Sequence, residues 1–332
     1  MLRVAMLSFA HVHANGYAEH VAKHPEAKLQ VIWEDDEGRA KAAHEKFQVP
    51  VNMDLEAVLS DPEVDAVVIN SYTSQHHDLM MAAIRHKKPI FTEKALSITT
   101  KEADEIAKAV HESGIKFMIS LPSRTRSENL FIKHVLDEGW IGKVTLMRAR
   151  VAHGASLDHW FHDGSAWFAD EKLAGGGALF DLGCHTVDVM RWFMGEPKSV
   201  ISKIQQFSDA YPIDDNSAIV VEFKNGALGI LDTAWVQRAG PNPIEIYGTE
   251  GFVGRNFSGN LELVSTHLQP GDVKGVIHPT RLPDPLPMPM DQWISAILHD
   301  TPMTITVDDG RNLTQLLEKA YQSSKEKHEV AF

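Results

Sequence analysis

Leu2 to Leu7 is an apolar run that gives way, after Ser8-Phe9-Ala10-His11, to a periodic segment from about Val12 to Lys23 ending before Pro25. The first reads as a buried strand and the second as a helix. The alternation continues. Lys28 to Trp33 predicts a strand, the alanine-rich stretch through Arg39 to Phe47 a helix, Asp65 to Asn70 a strand, and His76 to Arg85 a helix. Pro89 to Thr92, Thr99 to Ser113 and Ile115 to Leu121 predict strand, helix and strand. Short apolar strands separated by helices of this length imply a parallel sheet covered on both faces, and such sheets bind ligands at the carboxyl ends of their strands.

The rhythm changes near Pro122. One more helix, about Ser127 to Glu138, precedes β-like segments at Lys143 to Ala152, Ser199 to Phe207, Ser217 to Phe223, Ala227 to Val236, Ile244 to Gly248 and Leu261 to Ser265. Asn225-Gly226 between two of these runs is a hairpin signal. Leu282 to Pro289 reads as an extended connection, and two helices, about Met290 to His299 and Asp308 to Lys325, follow it. The expected fold class is therefore α/β: an N-terminal dinucleotide-binding unit of Rossmann type with a parallel sheet, residues 1–122, and a C-terminal α+β unit with a large, mostly antiparallel sheet, residues 123–332.

Within the second half, Gly175-Gly176-Gly177 leads into an apolar segment that runs to Met194 and stops at Gly195. A loop, a helix and its C-terminal stop are predicted. On a 3.6-residue period Asp181, His185 and Asp188 share one stripe of that helix, while Leu179, Leu182, Val187, Met190 and Met194 largely take the other faces. A carboxylate beside a histidine, both partly removed from water, can hold and move a proton near neutral pH. Taken alone, the pair reads more readily as a self-satisfying contact in a core.

Bulk properties narrow the partners. The chain has 332 residues and a formal charge of -13, which supplies no electrostatic drive towards a phosphate backbone, so nucleic acid is not expected. No apolar run is long enough to span a bilayer, and the N-terminal stretch resembles a first strand more than a signal peptide. With one cysteine, Cys184, no intrachain disulfide can form, which fits a reducing, cytoplasmic setting.

A dinucleotide-binding turn wants glycines at G-x-G-x-x-G, and here those positions hold Ser8, Ala10 and His13. His11 or His13 is able to donate to a phosphate or reach a substrate, and a merely structural turn is the competing reading. Glu34 ends the second strand, where a carboxylate accepts both ribose hydroxyls and repels a 2′-phosphate; NAD is expected in preference to NADP. A solvated acidic loop Glu34-Asp35-Asp36 is the alternative. Glu93-Lys94 lies at the carboxyl end of another strand, where a lysine would stabilise a developing alkoxide.

With Asp65-Ala66-Val67-Val68-Ile69-Asn70, Thr73, His76, Glu93-Lys94, Arg124, Gly139-Trp140-Ile141-Gly142, Gly175-Gly176-Gly177 and Asp181-x-x-x-His185 in order, the sequence resembles the Gfo/Idh/MocA family of glucose-fructose oxidoreductase and inositol 2-dehydrogenase. The resemblance covers nearly the whole chain. It implies NAD(P)-dependent oxidation or reduction of a sugar, cyclitol or similar polyhydroxy compound, and a homodimer or homotetramer formed through the C-terminal sheet. It assigns substrate and nicotinamide contacts to Lys94, acid/base chemistry to His185, and support of the histidine or the substrate to Asp181. Ser71, Thr73, His76, Glu93 and Arg124 join the turn residues and Glu34 as expected cofactor contacts. Some relatives use a bound cofactor transiently in glycoside cleavage, and a non-catalytic dinucleotide sensor is a further alternative. Ala95 replaces the family's proline after Glu-Lys; a cis peptide without proline costs about 2.5 to 4 kcal/mol, so Lys94-Ala95 is expected to be trans.

His153, Asp158, His159, Trp160, His162 and Asp163 cluster just before the glycine run. Imidazole and carboxylate suit several metals, but the spacing matches no closed site and no metal is expected. A polar substrate loop is expected instead, with Trp160 or Trp167 stacking on a sugar face and His153 bonding a hydroxyl.

Overall fold

The computed structural model describes residues 1–268 and 275–332. Among them, β1 (Leu2–Leu7), β2 (Ala27–Trp33), β3 (Val51–Asn52), β4 (Ala66–Ile69), β5 (Ile90–Thr92) and β6 (Phe117–Ile119) form a parallel sheet in the order β3-β2-β1-β4-β5-β6. Between them run α1 (Ala14–Lys23), α2 (Glu37–Phe47), α3 (Leu55–Ser60), α4 (His76–Arg85) and α5 (Thr100–Ser113). Val4, Ala5, Met6, Leu7, Ala66, Val67, Val68 and Ile69 are all inaccessible, as expected of central strands buried on both faces. The strand order reverses between β1 and β4, which opens the crevice at their carboxyl ends where such sheets take ligands.

The second sheet contains β7 (Val144–Ala152), β8 (Pro197–Gln205), β9 (Asn216–Phe223), β10 (Leu228–Ala234), β11 (Ile244–Gly248), β12 (Gly251–Arg255), β13 (Leu261–Ser265) and β14 (Val330–Ala331), ordered β13-β12-β11-β7-β10-β9-β8-β14. All neighbours in it are antiparallel except β10 and β7. The Asn225-Gly226 turn joins β9 to β10 as read from the sequence. The predicted strands lie within a few residues of their observed bounds; β12 was not foreseen, because Gly251 and Gly254 interrupt its apolar pattern.

Among the described residues, five further helices follow: α6 (Ser127–Asp137), α7 (Glu171–Ala174), α8 (Cys184–Met194), α9 (Pro289–His299) and α10 (Val307–Glu326). α10 ties the two sheets together. Arg311 pairs with Asp104 of α5, while Ser323 and Ser324 accept from the backbone of Ser202 and Ile204 on β8. Among the described residues, no helix is long and apolar enough to cross a membrane.

Candidate active site

Ser8 follows β1 with φ 72°, a left-handed conformation in which glycine is the usual occupant. Its N–H donates to the Trp33 carbonyl at 2.8 Å, and its hydroxyl accepts from the Ala10 N–H at 3.2 Å, so serine and alanine build the turn without glycine. No side chain caps the start of α1, which leaves amide donors at the mouth of this turn. A groove of about 630 Å³ lies over it, lined among others by Phe9, His11, Asn15, Arg39 and Lys46.

Glu34 is fully buried, which removes the solvated-loop reading for this carboxylate. It accepts from the Phe9 N–H at 2.6 Å, the Arg39 guanidinium at 2.7 Å and the Asp35 N–H at 3.0 Å. Burial raises its pKa above the ordinary carboxylate value despite Arg39. Arg39, which the sequence did not single out, also donates to the Tyr72 hydroxyl at 2.8 Å. Nearby, both amide atoms of buried Asn70 lack partners among the described residues, as do Arg39 Nε, Gln75 Oε1 and His11 Nε2. Orphaned buried polar atoms are costly, and several along one crevice fit a ligand rich in hydroxyls, amides and phosphates. These residues therefore fit a dinucleotide.

Glu93 and Lys94 follow β5. The Lys94-Ala95 peptide is cis, contrary to expectation. The dipeptide preference is overridden by the buried setting: Ala95 and Leu96 are inaccessible or nearly so, and the Ala95 carbonyl bonds His76 Nδ1 at 2.9 Å. Lys94 Nζ donates to both the carbonyl and Oδ1 of Asp181, each at 2.9 Å. Glu93 accepts from the Tyr17 hydroxyl at 2.5 Å, from His13 Nδ1 at 2.9 Å and from the Lys94 N–H at 3.0 Å.

Asp181 sits in a single π-helical turn, Leu179–Gly183, that runs directly into α8. The glycine run positions this turn. Gly175 adopts φ 90°, and a Cβ on Gly177 would come 1.9 Å from the Asp214 carbonyl oxygen. The Asp214 carboxylate in turn accepts from the Gly177 N–H at 2.7 Å and the Tyr321 hydroxyl at 2.9 Å. His185 opens α8 and shares a cavity of about 400 Å³ with Lys94, Asp181, His11, His153 and Trp160. Among the described residues no hydrogen bond joins Asp181 to His185; the carboxylate serves Lys94 instead. The predicted polar stripe is thus divided, because Asp188 bonds Arg124 at 2.6 and 3.0 Å and does not line the cavity that Asp181 and His185 share.

The electrostatics follow from this packing. Burial, and next the Lys94 charge, push His185 down to about 4, so its imidazole is neutral at pH 7. Burial also disfavours charge on Lys94, but Asp181 outweighs it and holds the ammonium above its ordinary range. Asp181 is held below the usual carboxylate range, Lys94 more than offsetting its burial. His13 is raised by its hydrogen bond to Glu93, whereas burial lowers His11 to about 3.

His11, His13 and Glu93 bring ligand atoms within 4.8 Å of one another. His11 Nδ1 accepts from the His13 N–H at 3.2 Å, which places the neutral ring's proton on the orphaned Nε2. That tautomer offers a donor to a ligand oxygen, whereas metal-bound histidines donate through the other nitrogen. Elsewhere, Ser71 and Thr73 are buried in the loop after β4, with Ser71 donating to the Tyr72 carbonyl. Arg124 is committed to Asp188 and Asp309. His153 stacks on Trp160 at 4.7 Å between ring centroids. Trp167 is buried and donates to the Ala10 carbonyl at 2.9 Å, so it braces the turn after β1. Asp158 pairs with Arg238, and His162 with its neighbour Asp163, so that loop's histidines and aspartates do not converge.

The oxidoreductase family with an NAD-binding Rossmann fold matches residues 3–121, and the GFO/IDH/MocA C-terminal domain matches residues 130–253. The chain is 25% identical over 330 residues to myo-inositol 2-dehydrogenase of Thermotoga maritima, covering 95% of this chain and 94% of that protein. It is 27% identical over 205 residues to 1,5-anhydro-D-fructose reductase of Ensifer adhaerens, a match spanning 61% of this chain and 60% of the reductase. Among solved structures, GenD2 from gentamicin A biosynthesis in complex with NAD has a TM-score of 0.82 at 25% identity, covering 100% of this chain and 96% of that one. Levoglucosan dehydrogenase in complex with NADH and L-sorbose has the same fold, with a TM-score of 0.86 at 20% identity over 100% of this chain and 98% of that one. The two domain matches together cover most of the chain, which belongs to the GFO/IDH/MocA oxidoreductase family.

Proposed function

We propose that this protein is an NAD-dependent dehydrogenase or reductase acting on a CH–OH group of a sugar, cyclitol or related polyhydroxy compound. The observation that carries the reading is the Lys94-Asp181 ion pair facing the same cavity as a neutral, half-buried His185. A structural ion pair needs no such histidine beside it, and a non-catalytic sensor needs neither. In this reading residues 1–122 hold the cofactor and residues 123–332 hold substrate.

Ser8, Ala10, His11 and His13 form the turn under the pyrophosphate, with Glu34 and Arg39 at the adenosine end and Asn70 in the crevice between β1 and β4. NAD, when bound, supplies the hydride acceptor or donor. In the oxidative direction, neutral His185 accepts the hydroxyl proton of the substrate, and Lys94 donates a hydrogen bond to the same oxygen as negative charge grows on it. Asp181 keeps Lys94 charged and fixes its ammonium by two hydrogen bonds. Reduction runs the proton back from His185 to the oxygen. His153 and Trp160 border the cavity and contact the polyhydroxy chain.

A cytoplasmic homo-oligomer is part of the proposal. Ile201 and Val220 are paired across β8 and β9, and both are exposed on the open sheet, a patch that suits a second copy. The test is a screen of sugars and cyclitols with NAD, read at the nicotinamide absorbance band, with Lys94→Ala and His185→Ala as controls. Substrate-dependent NADH formation lost in both variants is expected. Full turnover in both would remove the assignment.

A further inference from the structure

The cavity holding Lys94 and His185 is not the only one His185 borders. A second, also about 400 Å³, meets the first at His13 and His185 and extends between α6, α8 and the strands β7, β11 and β12. Its lining includes Arg126, Arg150 and Arg255 together with Asn129. Three guanidiniums around one cavity are unexpected in a chain of formal charge -13.

Their partners separate them. Arg150 is compensated: it lies 3.2 Å from Asp232 and donates to the Pro241 carbonyl and to Gln237. Arg126 and Arg255 have no carboxylate within ion-pair distance among the described residues; the guanidinium of Arg255 has only the Asn242 carbonyl, at 3.3 Å. Arg255 is partly buried, and burial followed by the proximity of Arg126 lowers its pKa. Glu128 exerts an opposing attraction without reaching contact. A partly desolvated Arg255 charge beside the exposed Arg126, with no counter-ion, opposes folding, and an anion supplied by a ligand would offset that cost. The start of α6 faces the same space, at Arg126 and Asn129, and no side chain caps it, so its free amides add to the positive field.

We infer that Arg126 and Arg255 form an oxyanion subsite beside His185, and that the substrate is a polyhydroxy compound bearing a carboxylate or phosphoryl group. This rests on the hydride-transfer reading for the identity of the reacting end. With the reacting hydroxyl at Lys94 and His185, the anionic end passes His13 into the arginine-lined cavity. Arg255 is a fork suited to two parallel hydrogen bonds on one carboxylate or phosphoryl group, and Arg126 closes from α6. Neutral sugars and cyclitols leave both guanidiniums unanswered.

The test uses the full chain with NAD and five compounds: D-glucose and myo-inositol as neutral probes, D-gluconate and D-glucuronate as carboxylates, and D-glucose 6-phosphate as the phosphoryl probe. Calorimetric binding and NADH formation are measured for the native chain, Arg126→Gln and Arg255→Gln. The expected result is binding of at least one anionic probe at least tenfold tighter than either neutral probe, with that advantage reduced tenfold or more in each variant. The carboxylate and phosphoryl arms identify which oxyanion the site takes. Should Arg255→Gln fail to fold, judged by circular dichroism, the exposed Arg126 carries the test alone. Neutral probes binding as tightly as the anionic ones, or anion binding indifferent to both arginines, would overturn the inference while NADH formation still upheld the dehydrogenase. Anion binding that tracks the arginines with no NADH from any probe would support the subsite and count against hydride transfer.

Discussion

Lys94 and Asp181 meet across the crevice between the two sheets, with Nζ 2.9 Å from both the backbone carbonyl and Oδ1 of the aspartate. One residue follows a strand of the parallel sheet and the other lies in the π-helical turn before α8. On the proposed mechanism Lys94→Ala removes the donor to the reacting oxygen, so kcat is expected to fall by about 10²- to 10³-fold. Asp181→Asn keeps the shape and one acceptor but takes away the counter-charge that sustains the ammonium against burial. Its lysine then loses protons at lower pH than in the native chain. Steady-state kinetics with the substrate identified by the screen will show this as an alkaline limb displaced downward. A limb that stays in place in Asp181→Asn would mean the carboxylate does not set the lysine's charge.

His185 is pushed down to about 4 by burial and by Lys94. In the proposed oxidation the ring acts as a base in its neutral form. Because the folded pKa lies below the ordinary histidine value, the base form persists as pH falls through 6.5 and is lost only on approaching 4. The kcat/KM for oxidation is therefore expected to show no acid limb near 6.5 that depends on His185, and to decline towards pH 4. His185→Gln should lower turnover by about 10²- to 10⁴-fold. Its residual activity should lack the limb near 4. His13, raised by Glu93, is the other histidine bordering both cavities, and His13→Gln distinguishes any limb that arises above 6.5.

Much of this was legible in the sequence because the elements are strongly patterned. The inaccessible strands β1 and β4 are nearly unbroken apolar runs, and the lysine and histidine sit where strand end and helix start are marked by composition. What was not legible depends on contacts far apart in the chain. Glu34 is buried because Arg39 and the Phe9 amide enclose it, which a run of three acidic residues does not announce. The π turn is invisible to a 3.6-residue period, so the stripe through Asp181, His185 and Asp188 was drawn too straight. Arg126 precedes α6 and Arg255 ends β12, far apart in sequence, and only the folding of β12 against α6 places them around one cavity.

Arg124 and Asp188 form a buried ion pair joined by two hydrogen bonds, with Asp309 as a further partner of the guanidinium. Removing Asp188 leaves the buried guanidinium with Asp309 alone and takes away both of its hydrogen bonds to the Asp188 carboxylate. Asp188→Ala is expected to lower unfolding free energy by about 3 to 5 kcal/mol, read from chemical denaturation. Arg124→Leu combined with Asp188→Leu should recover most of that loss, since apolar residues of similar volume commonly replace such pairs without penalty. If Arg124 were instead chiefly a cofactor contact, the single substitution at Asp188 would leave stability near native.

Gly177 is fixed by a backbone approach that no side chain can enter: its missing Cβ would lie 1.9 Å from the Asp214 carbonyl oxygen. Gly177→Ala must push Asp214 away, and with it the carboxylate that accepts from the Gly177 N–H at 2.7 Å and the Tyr321 hydroxyl at 2.9 Å. The expected loss is about 3 kcal/mol, the upper end of ordinary overpacking, again read from denaturation. Asp214→Ala makes no clash and leaves those buried donors unpaired, for about 1 to 3 kcal/mol. The two variants separate packing from hydrogen bonding. Both disturb the turn four residues before Asp181, so both should lower kcat at temperatures where the protein is still folded, through displacement of Lys94's partner. Destabilisation with native kcat in both variants would show that the π-helical turn holds its position without the glycine run.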